Sequence, residues 1–258
     1  MRSYIEHLID ERGGKWIEEF EVEKTEREKE IIEFVKIAAD RMLVELGRDT
    51  LPEIAESNIH ILRENATDEY TEGESGVGAH APRLGSVLVD RQESEVQFAI
   101  TLFHELMHMK VYKALQLIQN DEGNDLSSYR SGFSVTDREG KKSYFNSLEE
   151  AVVGYLTKKF YDEVLTQDPL FSNEISSSEG TNEEEDTSRL EELAFLNKLV
   201  DDLWEGNKDR YETRDDVFKL FLDAHVHGRL LPIGRLIERT FGKGSFRQLG
   251  EATSILHE

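Results

Sequence analysis

The sequence predicts an α+β chain with an N-terminal mixed α/β lobe over residues 1–172, an acidic flexible segment over 173–188 and a mainly helical C-terminal lobe over 189–258. Three observations carry this reading. Apolar residues recur at three- and four-residue steps in several long stretches, which is the period of an amphipathic helix. Two short segments in the first hundred residues have strand character, and a further pair flanks a turn sequence. Between residues 173 and 188 the composition shifts abruptly to NEISSSEGTNEEEDTS, which has too little apolar surface to bury.

Thr25 to Gly47 reads as the first helix. Ile31, Val35, Ala38, Met42 and Leu46 form one stripe, Thr25 and Glu28 have the spacing of a capping box, and Gly47 supplies the stop. Pro52 marks a break before Asn58–Arg63, whose alternation suggests a strand, and Gly85–Asp90 is a second extended candidate. Glu95 to Ile118 repeats the helical pattern, with Phe98, Leu102, Leu106 and Met109 on the face expected to be buried. Asn120 to Leu126 reads as a polar turn region. Phe133–Thr136 and Lys141–Phe145 then flank Asp137-Arg138-Glu139-Gly140, a hairpin signature. Ser147 to Leu165 follows as a helix capped by Asn146 or Ser147, with Glu149 and Glu150 in its first turn. Beyond the acidic segment, helices are expected over Arg189–Trp204, Thr213–His227 and Ile233–Phe241.

Composition narrows the chemistry. The 258 residues include no cysteine, which removes disulfides, thiolate metal sites, iron–sulfur clusters and a cysteine nucleophile. Any metal must therefore be held by His, Asp or Glu. With 54 acidic against 31 basic residues, the surface repels phosphate backbones and anionic lipid, so neither nucleic acid nor a membrane is an expected partner. The length and a hydrophobic fraction of 38% suffice for a core without covalent staples. No apolar run approaches the roughly 20 residues that span a bilayer. The opening MRSYIEHLIDERGG lacks the apolar centre of a signal peptide, so the expected location is the cytoplasm.

One pattern carries chemistry: His104-Glu105-Leu106-Met107-His108, within the Glu95–Ile118 helix. Spacing of i,i+4 puts both imidazoles on one helix face, where they can share a Zn2+ ion, and Glu105 is placed to act as general base toward a water there. Residue frequencies alone would produce such a pattern by accident with a probability of roughly a few per cent. Two histidines leave a catalytic zinc site one protein ligand short. Glu150, on the helix after the hairpin, is the leading candidate. Glu149 lies about 100 degrees around that helix and is either the competitor or a group orienting His104 or His108 from behind. Asp121, Glu122 and Asp125 follow the motif helix too closely to reach back without a sharp reversal. Met109–Gln119 contains neither the Gly nor the third His of an extended motif, and no Gly-x-Ser-x-Gly elbow or phosphate-binding glycine loop is present.

HExxH, a hairpin and then Asn-Ser-Leu-Glu-Glu-Ala on a second helix together resemble the gluzincin zinc metallopeptidases, the group that includes thermolysin-like enzymes. The resemblance covers residues 55–165 at motif level. It implies a zincin-like fold, Zn2+ held by His104, His108 and Glu150, and hydrolysis of a peptide or protein substrate with Glu105 as base. It also implies an edge strand around Gly76–Asp90, with Pro82, that pairs with extended substrate. In that family the glutamate ligand is followed by a small residue, as Ala151 follows Glu150. It is often preceded by Asn, where this chain has Glu149, and that departure keeps the two glutamates in competition. A Tyr or His stabilising the oxyanion is a further implication; His227 is the chosen candidate, ahead of His225, Tyr155, Tyr161 and Tyr211. The alternative is an inactive metallopeptidase-like protein serving as a peptide-binding or regulatory module. Against it stands Glu105, a base that a purely structural zinc site does not need.

Overall fold

The computed structural model describes residues 15–48, 53–71, 76–81, 85–120, 123–139, 141–177 and 187–256. Pro52, Pro82, Asp121, Glu122, Gly140 and the 178–186 part of the acidic run lie outside them. The chain is mixed α+β and divides into two compact units interleaved in sequence, one gathering residues 1–44, 49–110 and 156–183 and the other 45–48, 111–155 and 184–258.

In the first unit, α1 (Lys15–Phe20) leads into α2 (Glu26–Glu45). The capping box expected at Thr25 is formed in both directions: Thr25 N–H donates to Glu28 at 2.6 Å and Glu28 N–H donates to Thr25 Oγ1 at 3.1 Å. The stripe from Ile31 to Leu43 is buried. A three-stranded sheet follows, with β1 (Ile59–Leu62), β2 (Gly78–Ala81) and β3 (Ser86–Asp90) in the order β1-β3-β2. β3 runs parallel to β1 and antiparallel to β2. Helix α3 (Ala66–Thr71) lies between β1 and β2 in sequence, and α4 (Glu95–Lys110) packs on β2 and β3. The Gly76–Asp90 stretch, expected to be one edge strand, is thus two strands. Its second half is the buried centre of the sheet, because Val87, Leu88 and Val89 are apolar on both faces, and of these two strands it is β2 that lies at an edge.

Helix α5 (Asn146–Glu163) is the element that both units share, changing unit after Tyr155. Its second half belongs with α4. Phe160 stacks on Phe103 at 4.2 Å and 1°, and Phe34 of α2 tilts against Phe160 and Phe171. Each fully buried ring of this cluster contributes about 1.5–3 kcal/mol by leaving water. A short helix α6 (Ser172–Ser177) closes the unit, so the first residues of the expected acidic linker are helical.

The second unit contains an antiparallel sheet in the order β4-β5-β6-β7-β8, from β4 (Lys113–Asn120), β5 (Gly123–Ser131), β6 (Ser134–Thr136), β7 (Lys142–Tyr144) and β8 (Ile255–Leu256). The expected hairpin around Asp137 is β6–β7. The helix expected to reach Ile118 ends at Lys110, and the chain turns extended. Lys113–Asn120 carries a two-residue alternation that competes with the helical period, and pairing with β5 decides it. The polar turn expected over Asn120–Leu126 is correspondingly shorter, since Gly123 already pairs with Asn120. Helices α7 (Thr187–Glu205), α8 (Arg214–His227), α9 (Leu230–Phe241) and α10 (Ser245–Ala252) complete the unit. Among the described residues no helix is long and apolar enough to cross a membrane.

Candidate metal centre

Helix α4 starts with its amides satisfied from two directions. Ser94 Oγ accepts from Gln97 N–H at 2.9 Å, and the Glu174 carboxylate of α6 accepts from the amides of Glu95 and Val96 at 3.0 and 3.2 Å and from the Ser94 hydroxyl. Arg27 adds an ion pair to Glu95 and a hydrogen bond to the Leu170 carbonyl. The helix is therefore fixed at its N-terminus before it reaches the motif.

His104 and His108 lie one turn apart on α4, each 3% exposed, with their Nε2 atoms 3.1 Å apart. Two nitrogens bound at about 2.0–2.1 Å to one tetrahedral ion sit about 3.3 Å apart, so the pair already has nearly the required bite. Thr157 Oγ1 lies 3.4 Å from His104 Nδ1. With Nδ1–H donating to that oxygen, Nε2 keeps the lone pair a metal needs.

Thr157 thereby marks the face of α5 that is turned to His104. Glu150 precedes it by two helical turns on the same helix face. The ligand atoms of His104, His108 and Glu150 all lie within 4.8 Å of one another. Two imidazoles and one carboxylate from two separate helices, the imidazoles buried and the carboxylate partly accessible, could hold a divalent metal ion.

Glu149 occupies a different environment. Its side chain is 4% exposed, and Oε2 accepts from Phe133 N–H at 2.7 Å and lies 3.0 Å from His225 Nδ1. The backbone at Gly132 has φ +55°, and a Cβ there would come within 2.3 Å of the Glu149 carboxylate. His225 is wholly buried, and its Nε2 has no hydrogen-bond partner among the described residues. His227, on the last turn of α8, is about a quarter exposed with Nδ1 3.1 Å from Asp223 Oδ1, and it is not a member of the His104–His108–Glu150 group. Tyr155 packs against Phe218 at 4.2 Å, while Tyr161 and Tyr211 are partly exposed.

Glu105, next to His104, is 7% exposed. Burial pushes its carboxyl up, but the hydrogen bond with His80 and the charges of His104, His108 and His80 outweigh that and hold it below the ordinary carboxylate value. His80 lies outside the His104–His108 motif and carries no motif of its own. Its Nδ1 lies 3.2 Å from Glu105 Oε2, and its ring stacks on His108 at 4.7 Å and 10°. The available signal was its place in Gly-Ala-His-Ala, within the stretch expected to line a cleft. Gly78 permits this approach, since a Cβ there would lie 2.5 Å from Thr101 Cγ2 and 3.3 Å from the Glu105 side chain.

No protein-family model, curated protein or solved structure matches the chain.

Proposed function

We propose that the protein is a zinc-dependent peptidase of gluzincin type, with His104, His108 and Glu150 holding the ion and Glu105 as general base. The observation that carries this reading is the convergence of the three ligand atoms within 4.8 Å, with a buried carboxylate on the residue beside the first histidine. The donor set matches the two-His, one-Glu sites in which zinc keeps an open position. Bound zinc supplies Lewis acidity, which polarises a peptide carbonyl and lowers the pKa of water at the site. Glu105, held as a carboxylate, takes the proton of the attacking water at Oε and passes it to the leaving amine. The His80 hydrogen bond and the surrounding imidazoles support the ionised form that a base requires. The net charge of −23 adds weak long-range attraction for basic peptides, screened beyond about 8–10 Å at ordinary salt. A peptide or protein substrate in the cytoplasm is part of the same proposal.

The test is metal content per chain by elemental mass spectrometry for wild type, Glu150→Ala and Glu149→Ala, followed by a peptide-library cleavage screen against Glu105→Gln. Expected are about one zinc in wild type, selective loss in Glu150→Ala, and cleavage that disappears in Glu105→Gln. A wild type that holds no zinc after supplementation overturns the reading. Zinc without cleavage transfers the site to a peptide-binding role.

A further inference from the structure

His80 lies outside the motif, yet it contacts two of its members. Strand β2 sets this by register: successive side chains alternate between faces, so Gly78 and His80 share one face. Ala79 lies on the opposite face, in an apolar cluster with Ile17, Leu62, Ala66 and Leu88. A slip of one residue would put an imidazole into that cluster and a methyl against Glu105. The register is fixed by the pairs Gly78 with Val89 and His80 with Val87. Packing alone does not require an imidazole at this position. Its polar atom is directed at a buried carboxylate, its ring lies nearly parallel to that of His108, and a quarter of its side chain stays accessible.

We propose that His80 is a positioning residue with two tasks: Nδ1–H orients the Glu105 carboxylate, and the stacked ring braces His108 for the metal. The proposal rests on the peptidase reading for the first task and on metal binding alone for the second. Residues that orient ligands from behind typically change metal affinity by about 10–100-fold when removed. The two tasks separate by side chain. Phe keeps a flat ring and lacks the donor, Asn keeps a donor near the Nδ1 position and lacks the ring, and Ala lacks both.

The experiment uses the full chain, as wild type, His80→Ala, His80→Phe and His80→Asn. Zinc dissociation constants are measured by competition with a chromophoric chelator, and hydrolysis of fluorescein-labelled casein is measured at saturating zinc. Expected for His80→Ala are about tenfold or weaker zinc binding and a large loss of kcat. His80→Phe should hold zinc within about threefold of wild type yet lose kcat at little changed KM, and His80→Asn should show the reverse pattern, with kcat partly restored. A melting curve for each variant checks folding; if Ala does not fold, Asn, which lacks the ring, decides the bracing role and Phe, which lacks the donor, decides the orienting role. Zinc affinities within twofold across all variants overturn the bracing role. Equal kcat in wild type and His80→Phe overturns the orienting role while leaving the peptidase reading intact. If wild type fails to cleave casein, the peptidase reading and the orienting role fall together, and the zinc series alone decides the bracing. If wild type holds no zinc, both proposals fail.

Discussion

Glu174→Ala tests whether α4 is held from α6. In the structure one carboxylate serves the first two helical amides, those of Glu95 and Val96, and the hydroxyl of Ser94, which itself caps Gln97. Loss of a side-chain cap costs about 1 kcal/mol, and loss of a negative charge at a helix N-terminus about 0.3–1 kcal/mol more. The freed amides lie at a partly exposed helix end and regain water, which keeps the total at about 2 kcal/mol. For a chain of this length that corresponds to a fall in melting temperature of about 4–8 °C, read by circular dichroism. Glu174→Gln, which keeps an acceptor but not the charge, should fall between wild type and Glu174→Ala. Amide hydrogen exchange supplies the local readout: Glu95 and Val96 should lose protection before His104 does. A melting point within 1 °C of wild type, with unchanged protection at Glu95 and Val96, would refute the capping argument.

Three further outcomes follow from the geometry. Gly78→Ala places a methyl 2.5 Å from Thr101 Cγ2, so it should destabilise by about 1–3 kcal/mol in urea unfolding; Gly78→Ala with Thr101→Ser, which removes that methyl, should recover much of the loss. Gly132→Ala meets the Glu149 carboxylate at a backbone φ of +55° and should cost more than about 2 kcal/mol in the same assay, combining the left-handed penalty with the clash. Stability against pH should carry opposing contributions from Asp90 and Glu28. Burial raises the Asp90 carboxyl despite the bond from Thr67, so its ionisation costs folding free energy as pH rises from its unfolded pKa through its higher folded one, and Asp90→Asn should gain on wild type across that interval. Burial also acts to raise Glu28, but its bonds with Arg91 and Thr25 prevail and lower it. Its contribution is therefore present above the unfolded pKa and lost as pH falls through the folded one, and Glu28→Gln should remove that acid-side loss in urea titrations.

The parts of the site that sequence made legible are those set by local periodicity. His104 and His108 share a face because four residues make about one helical turn, and the α2 capping box needs only the three-residue spacing of Thr25 and Glu28. Elements decided by distant partners were not legible. Lys113–Asn120 has enough apolar residues to pass for the end of a helix, and its partner strand, not its own pattern, makes it β4. Glu174 sits in an acidic run that composition alone describes as solvated, and its role depends on a helix start about eighty residues earlier. His80 depends on the register of β2 against β3, which no motif encodes.

The choice between the adjacent glutamates shows how tertiary context completes a motif. Glu149 and Glu150 point about 100 degrees apart, so the rotation of α5 admits only one of them to the histidine pair. That rotation is fixed from the Glu149 side. A carboxylate 4% exposed is costly unless donors meet it, and Phe133 N–H and His225 Nδ1 lie where they can, while Gly132 leaves the space for its head group. With Glu149 held there, Glu150 faces the group containing His104 and His108 and keeps partial access to solvent. An ion must exchange its water shell to enter, and a carboxylate with some access is better suited to that than one enclosed by Phe133 N–H and the His225 ring. Held by Phe133 N–H and His225, Glu149 anchors the first turn of α5 in the rotation that turns Glu150, the proposed third ligand, toward His104 and His108.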